Sequence, residues 1–153
     1  MEAQGVGRGM HEAVDAFLLD RANGYYQLGA KTDGSIHEIE AATMLFAFAC
    51  ELVLKGLGAK AKCHNLRQLF EDLSIERKHW LVTRYHELES RNLLEDISQC
   101  ADLFRDIRYW HEKKGGAFAT GLSRRLARFL TQAGLVAVSE RPSKQYIKTG
   151  RIQ

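Results

Sequence analysis

Apolar residues return at three- and four-residue steps along most of this chain, the spacing that puts them on one face of a helix. From about Met10 to Leu28 the stripe is Val14, Phe17, Leu18, Arg21, Tyr25 and Leu28; Gly29 and Lys31-Thr32-Asp33-Gly34-Ser35 then interrupt it. Between about Ile36 and Leu57 the heptad positions Ile39, Thr43, Phe46, Cys50, Val53 and Leu57 are flanked by Leu45, Phe48 and Leu54. So broad a stripe predicts the most buried helix of the fold.

Gly56-Leu57-Gly58 ends that helix, and Ala59 to Cys63 form a basic connection. His64 to Leu73 reads as a short amphipathic helix turning Leu66, Leu69, Phe70 and Leu73 inward. Ser74 is placed to cap another from about Ile75 to Glu89, with Trp80, Leu81, Tyr85 and Leu88 inside. From about Asn92 to Lys114, Leu93, Ile97, Cys100, Phe104, Ile107 and His111 form one seam of alternating four- and three-residue steps, closed by Gly115-Gly116. A last helix, about Leu122 to Ala133, carries Leu122, Leu126, Phe129 and Leu130. The pattern predicts an all-α fold: an antiparallel up-and-down four-helix bundle with additional short helices.

Length changes the picture only by limiting it, since 153 residues of which 45% are hydrophobic supply one core rather than two. The expected division is a leader at 1–9, a helical bundle at 10–138 and a basic tail at 139–153. The net charge of +3 belongs to that tail, where Arg141, Lys144, Lys148 and Arg151 face only Glu140. Cys50, Cys63 and Cys100 are odd in number and far apart, without zinc-ligand spacing, and read as reduced thiols. The most apolar run, Ala41 to Leu54, holds Glu51 and is too short to span a bilayer. No cofactor, no metal site and no membrane association are expected, and the cytoplasm is the expected compartment.

The helix with Glu51-Leu52-Val53-Leu54-Lys55, followed after a loop by His64-Asn65-Leu66-Arg67-Gln68-Leu69, resembles the middle of a HEPN domain. That superfamily often has Glu-Leu-x-x-Lys on its second helix and His-(Asp/Asn)-Leu-x-x-Leu at the next. Its ribonuclease members also carry Arg, a polar residue and then His, with four to six residues between Arg and His. Arg105-Asp106-Ile107-Arg108-Tyr109-Trp110-His111 fits that form with five between. The resemblance covers about Ala13 to Ala133. The same stretch has a second likeness: Arg108-Tyr109-Trp110-His111-Glu112 resembles the Arg-Tyr-x-Tyr-Glu pattern of HEPN-like helical proteins that are not, as a group, nucleases.

What the resemblance implies is cleavage of RNA without a metal. The RNA's own 2′-hydroxyl attacks the phosphate, so a base, an acid and cations on the phosphate suffice. His111 would move the proton and Arg105 would hold the non-bridging oxygens. Asp106 or Glu112 would orient the imidazole or a neighbouring arginine, and Arg108 would serve as a second cation. On one straight helix Arg105 and His111 lie about 120° apart around the axis and about 9 Å apart along it. The resemblance therefore implies a homodimer whose two-fold axis brings two of each into one cleft. It also implies service as the toxin of a toxin–antitoxin pair or in anti-phage defence, with a nucleotidyltransferase-like antitoxin as partner. The alternative it leaves open is a non-catalytic HEPN-like module that binds a nucleotide or a protein and acts with a nucleotidyltransferase-like partner.

The remaining candidates have plainer readings beside functional ones. Tyr109 and Trp110 suit a core or an interface, or else base stacking. Arg124, Arg125 and Arg128 form a basic face that is either solvated or a guide for an RNA backbone. Glu51 and Lys55 have the spacing of a helix ion pair, with a buried Glu51 also able to pair with an arginine. His64 reads as a cap or loop residue. His79 and His86, about 10.5 Å apart along one helix, are too far apart for a shared metal.

Overall fold

A computed structural model describes residues 13–32, 35–109 and 120–140, and every regular element among them is an α-helix. In chain order these are α1 (Ala16–Ala30), α2 (Ile36–Gly56), α3 (Leu66–Glu71), α4 (Ile75–Glu89), α5 (Leu93–Gln99), α6 (Leu103–Arg108) and α7 (Thr120–Ser139). Helix α2 is central, packing against α1, α3, α6 and α7, while α1 also meets α7. Helix α5 joins α3, α4 and α7. None of the described helices is long and apolar enough to cross a membrane.

Short polar residues start the helices by accepting orphan amide protons. Asp15 accepts from Phe17 and Leu18, Asn65 from Gln68, Ser74 from Arg77 and Asn92 from Glu95. The Asp15 amide in turn donates to the Gly56 carbonyl at 2.9 Å, tying the start of α1 to the end of α2. Ser90 closes α4 in the left-handed region at φ 53°.

The face that α1 buries differs from the expected one. Leu19, Ala22 and Gly29 are buried, whereas Phe17 is 68% and Leu28 58% exposed. Side-chain bulk points to the wrong stripe because the contact is made by small residues. A Cβ on Gly29 would lie 2.8 Å from the Phe46 ring, so the absence of a side chain there lets the α1 backbone approach α2. Leu19 fills a notch of the same kind, with Cδ2 2.8 Å from where a Cβ on Gly56 would stand and 2.9 Å from one on Gly134. Gly56→Ala should therefore destabilise by about 1–2 kcal/mol through overpacking. In a Leu19→Ala background the same change should instead stabilise by about 0.5 kcal/mol, since alanine restricts the unfolded chain. A double-mutant cycle by urea denaturation reads the reversal of sign.

The second difference is a break. The seam from Leu93 is kept, with Leu93, Ile97, Cys100 and Ile107 buried, but it runs over two helices rather than one reaching Lys114. Helix α5 ends at Gln99, and α6 ends at Arg108 with Tyr109 as its cap. The Ala101 carbonyl accepts from the Leu66 amide at 3.0 Å, and Asn65 Nδ2 donates to Asp102 Oδ1 at 2.9 Å. The start of α3 thus docks on the turn and takes up a carbonyl that a continuous helix would have used itself.

A buried polar clamp ties α4 to α5. The Arg91 guanidinium donates two parallel bonds to Asp96, Nε to Oδ2 at 2.7 Å and Nη2 to Oδ1 at 2.8 Å. Tyr85 Oη donates to Oδ2 at 2.6 Å, and the Tyr85 ring packs edge-on against Phe129 of α7. The Arg91 hydrogen bonds are the main reason the Asp96 carboxyl lies below the usual carboxylate range; burial is the main reason the Tyr85 phenol is pushed up. Leu81 and Tyr85 are buried as expected, but Leu88, expected inside too, is 60% exposed, and α4 also buries Arg77.

Candidate functional site

The docking of the α3 start on the turn before α6 leaves a concavity of about 290 Å³ between the α2–α3 loop and α6, lined by Cys63, His64, Asn65, Asp102, Phe104, Arg105 and Tyr109. Arg105 is the cation expected from sequence, and its side chain is 66% exposed. Asp102, one turn before it, lies 3.3 Å from its Nη2. An exposed pair at that distance is weak, and a phosphate can take over the guanidinium. Asp102 caps no amide of α6 with its side chain; one oxygen faces Asn65 and the other Arg105.

The opposite wall is an imidazole whose role the sequence reading did not find. His64 Nδ1 lies 3.0 and 3.1 Å from the two oxygens of Glu51, which is 5% exposed and also accepts from Lys55 Nζ at 2.7 Å. A carboxylate bonded in this way only accepts, so Nδ1 carries a proton and Nε2 is left for solvent or a ligand. The His64 ring stacks at 4.8 Å on Phe104, which meets Phe48 of α2 edge-on at 4.8 Å; Phe48 in turn stacks on Tyr25 of α1 at 5.8 Å. The aromatic row holds the imidazole against the core while 61% of its side chain stays exposed. Glu51 thus pairs with a lysine and a histidine, where the sequence reading offered an arginine as the alternative to Lys55.

Of the other expected site residues, Tyr109 lines the concavity and is 42% exposed. Asp106 is half-buried in the first turn of α6, with its amide donating to the Asp102 carbonyl at 2.9 Å. Arg108 is the last residue of α6. His111 and Glu112, with Trp110, lie outside the described residues. The helix on which Arg105 and His111 were expected to stand together is described as far as Arg108, the last residue of α6, and the separation of the two lies outside the described residues.

Arg124, Arg125 and Arg128 stand on α7, away from the residues that line this concavity. Arg125 and Arg128 approach Glu89 at 3.8 and 3.2 Å, and Arg124 donates to the Ala30 carbonyl at 3.4 Å. All three tie α7 to its neighbours.

Burial pushes the Cys100 thiol up to about 12 and the Cys50 thiol higher, so both are poor nucleophiles. Cys63 is the half-buried thiol at the concavity. Among the described residues no three His, Cys, Asp or Glu side chains cluster as metal ligands. No protein-family model, no curated protein and no solved structure matches this chain.

Proposed function

We propose that this chain is a metal-independent endoribonuclease of the HEPN type, acting in the cytoplasm as a toxin or in anti-phage defence. The observation that carries the reading is the Arg105 guanidinium, exposed at the rim of a concavity with an aromatic floor. Arg105 holds the non-bridging oxygens of the scissile phosphate and offsets the charge that grows on them. A base takes the proton of the RNA 2′-hydroxyl, whose oxygen bonds to phosphorus. The bond to the 5′-oxygen breaks, and an acid protonates that leaving oxygen. The products are a 2′,3′-cyclic phosphate and a 5′-hydroxyl. His111 is one proton carrier, with Asp106, Arg108 and Glu112 supporting it and Tyr109 offering a ring to a base.

A four-helix up-and-down bundle and a homodimer with both copies of Arg105 and His111 at one cleft complete the proposal. Arg124, Arg125 and Arg128 would meet RNA only by exchanging their present partners. A nucleotidyltransferase-like antitoxin would be the partner.

The second reading, a non-catalytic module that binds a nucleotide or a protein, is favoured by Tyr109 and Phe104, since a ring-walled concavity can hold a base without cutting RNA. Purified protein in EDTA should cut a labelled RNA and leave cyclic phosphate ends. RNA left intact after removal of any co-purifying partner would sink the nuclease and favour the module.

A further inference from the structure

We infer that the α2–α3 loop is the continuation of the Arg105 concavity as a track for single-stranded RNA, with Lys60 and Lys62 as its phosphate contacts. The inference rests on the RNA reading for its ligand and extends it from one nucleotide to a strand. A second concavity, of about 500 Å³, is lined by Lys55, Lys60, Lys62, Cys63 and His64 among others, and shares Cys63 and His64 with the first. The two are therefore neighbours that have Cys63 and His64 as a shared wall.

The loop is fixed rather than loose. Asp72 Oδ2 accepts from the Lys60 amide at 2.5 Å and from the Ala61 amide at 2.9 Å, and those bonds hold the Asp72 carboxyl below its usual range. Along the loop Lys60 and Lys62 are exposed, while Ala61 and Cys63 are half-buried. Charge is available where it is needed. Lys55 is engaged by Glu51 and Arg105 faces Asp102, but neither the Lys60 nor the Lys62 ammonium closes a salt bridge among the described residues.

Cations along a groove with an exposed ring at one end are the pattern that receives a single strand, with phosphates on the lysines and a base against Tyr109, beside the half-buried Phe104. A flat anionic surface would use the lysines and leave the ring-walled end empty.

The test is fluorescence anisotropy with 2′-O-methyl oligouridylates, which lack the attacking hydroxyl and so report binding whether or not the protein cuts RNA. The Lys60→Gln/Lys62→Gln variant changes two exposed side chains, and circular dichroism checks its fold. It should bind an octanucleotide about tenfold more weakly, with the slope of log affinity against log salt reduced by about 1.4, two phosphates of single strand. A dinucleotide, which fills only the Arg105 end, should bind as to wild type, whereas Arg105→Ala weakens both. An unchanged salt slope, an equal loss for the dinucleotide, or tighter binding to anionic vesicles than to the octanucleotide overturns the track. Length-dependent binding in a protein that never cleaves RNA supports the track and rejects the nuclease alone.

Discussion

His111→Ala should slow RNA cleavage by about 10²–10⁴-fold, the range lost when a positioned proton carrier is removed. Arg105→Ala should cost about 10²–10³-fold, the effect of deleting one group that stabilises charge growing in the transition state. The two losses should differ in kind. The arginine also meets the phosphate before reaction, so its removal raises KM and flattens the salt dependence, whereas removal of the imidazole lowers kcat with KM nearly kept. Arg105→Lys retains the charge but not the planar fork, and should restore binding more than rate. Arg105 is exposed, and its alanine variant should melt with the wild type, which separates a lost function from a lost fold. Equal cleavage by wild type and both variants, with wild-type ends on the product, would exclude these residues from the reaction.

The largest loss of stability is expected at Asp96. Asp96→Ala removes a carboxylate that is 2% exposed and leaves the Tyr85 hydroxyl, fully buried, without its acceptor. A truncated buried polar cluster of this kind costs about 3 kcal/mol. For a chain of this length that lowers the thermal midpoint by about 10 °C. Asp96→Asn keeps an acceptor for Tyr85 and should lose less. The pH dependence has a definite sign. The folded Asp96 carboxyl lies below the ordinary range, chiefly through Arg91, so its contribution is complete above the unfolded value near ~3.9 and disappears as pH falls through the folded value. Urea denaturation should show the gap between wild type and Asp96→Ala at pH 7 narrowing at about pH 3 and below. A gap of the same size at both would mean that packing, not ionisation, sets the cost.

Both sites show what a linear pattern can carry. The bounds of α2 and the Ser74 start of α4 are legible because they depend on neighbours in sequence: a wide apolar stripe, the glycines at 56 and 58, a hydroxyl before a helix. Arg105 is legible as an exposed cation, whereas Tyr109 reads from sequence as a core or interface ring as well as a stacking one and is 42% exposed. The α1 face is not legible, because Ala22 and Gly29 contribute by being small, and periodicity weighs bulk. His64 reads from sequence as a cap or loop residue because its partner, Glu51, stands thirteen positions earlier across a helix end, a separation with no helical period. The two motifs that marked the family resemblance contain both residues, and their pairing was the one available signal. The α5–α6 break was hidden for the same reason, since its cause is the Leu66 amide of another helix.

That joint divides the work of one apolar seam. Helix α5 answers to the Asp96 clamp and to α3 and α4, whereas α6 lies on α2, and the start of α3 grips the turn between α5 and α6 through Ala101 and Asp102. The turn at residues 100–102 sets where α6, and with it the Arg105 guanidinium, departs from the line of α5. A change at the Asn65–Asp102 contact therefore acts on the wall of the concavity while the Asp96 clamp holds α5 in register.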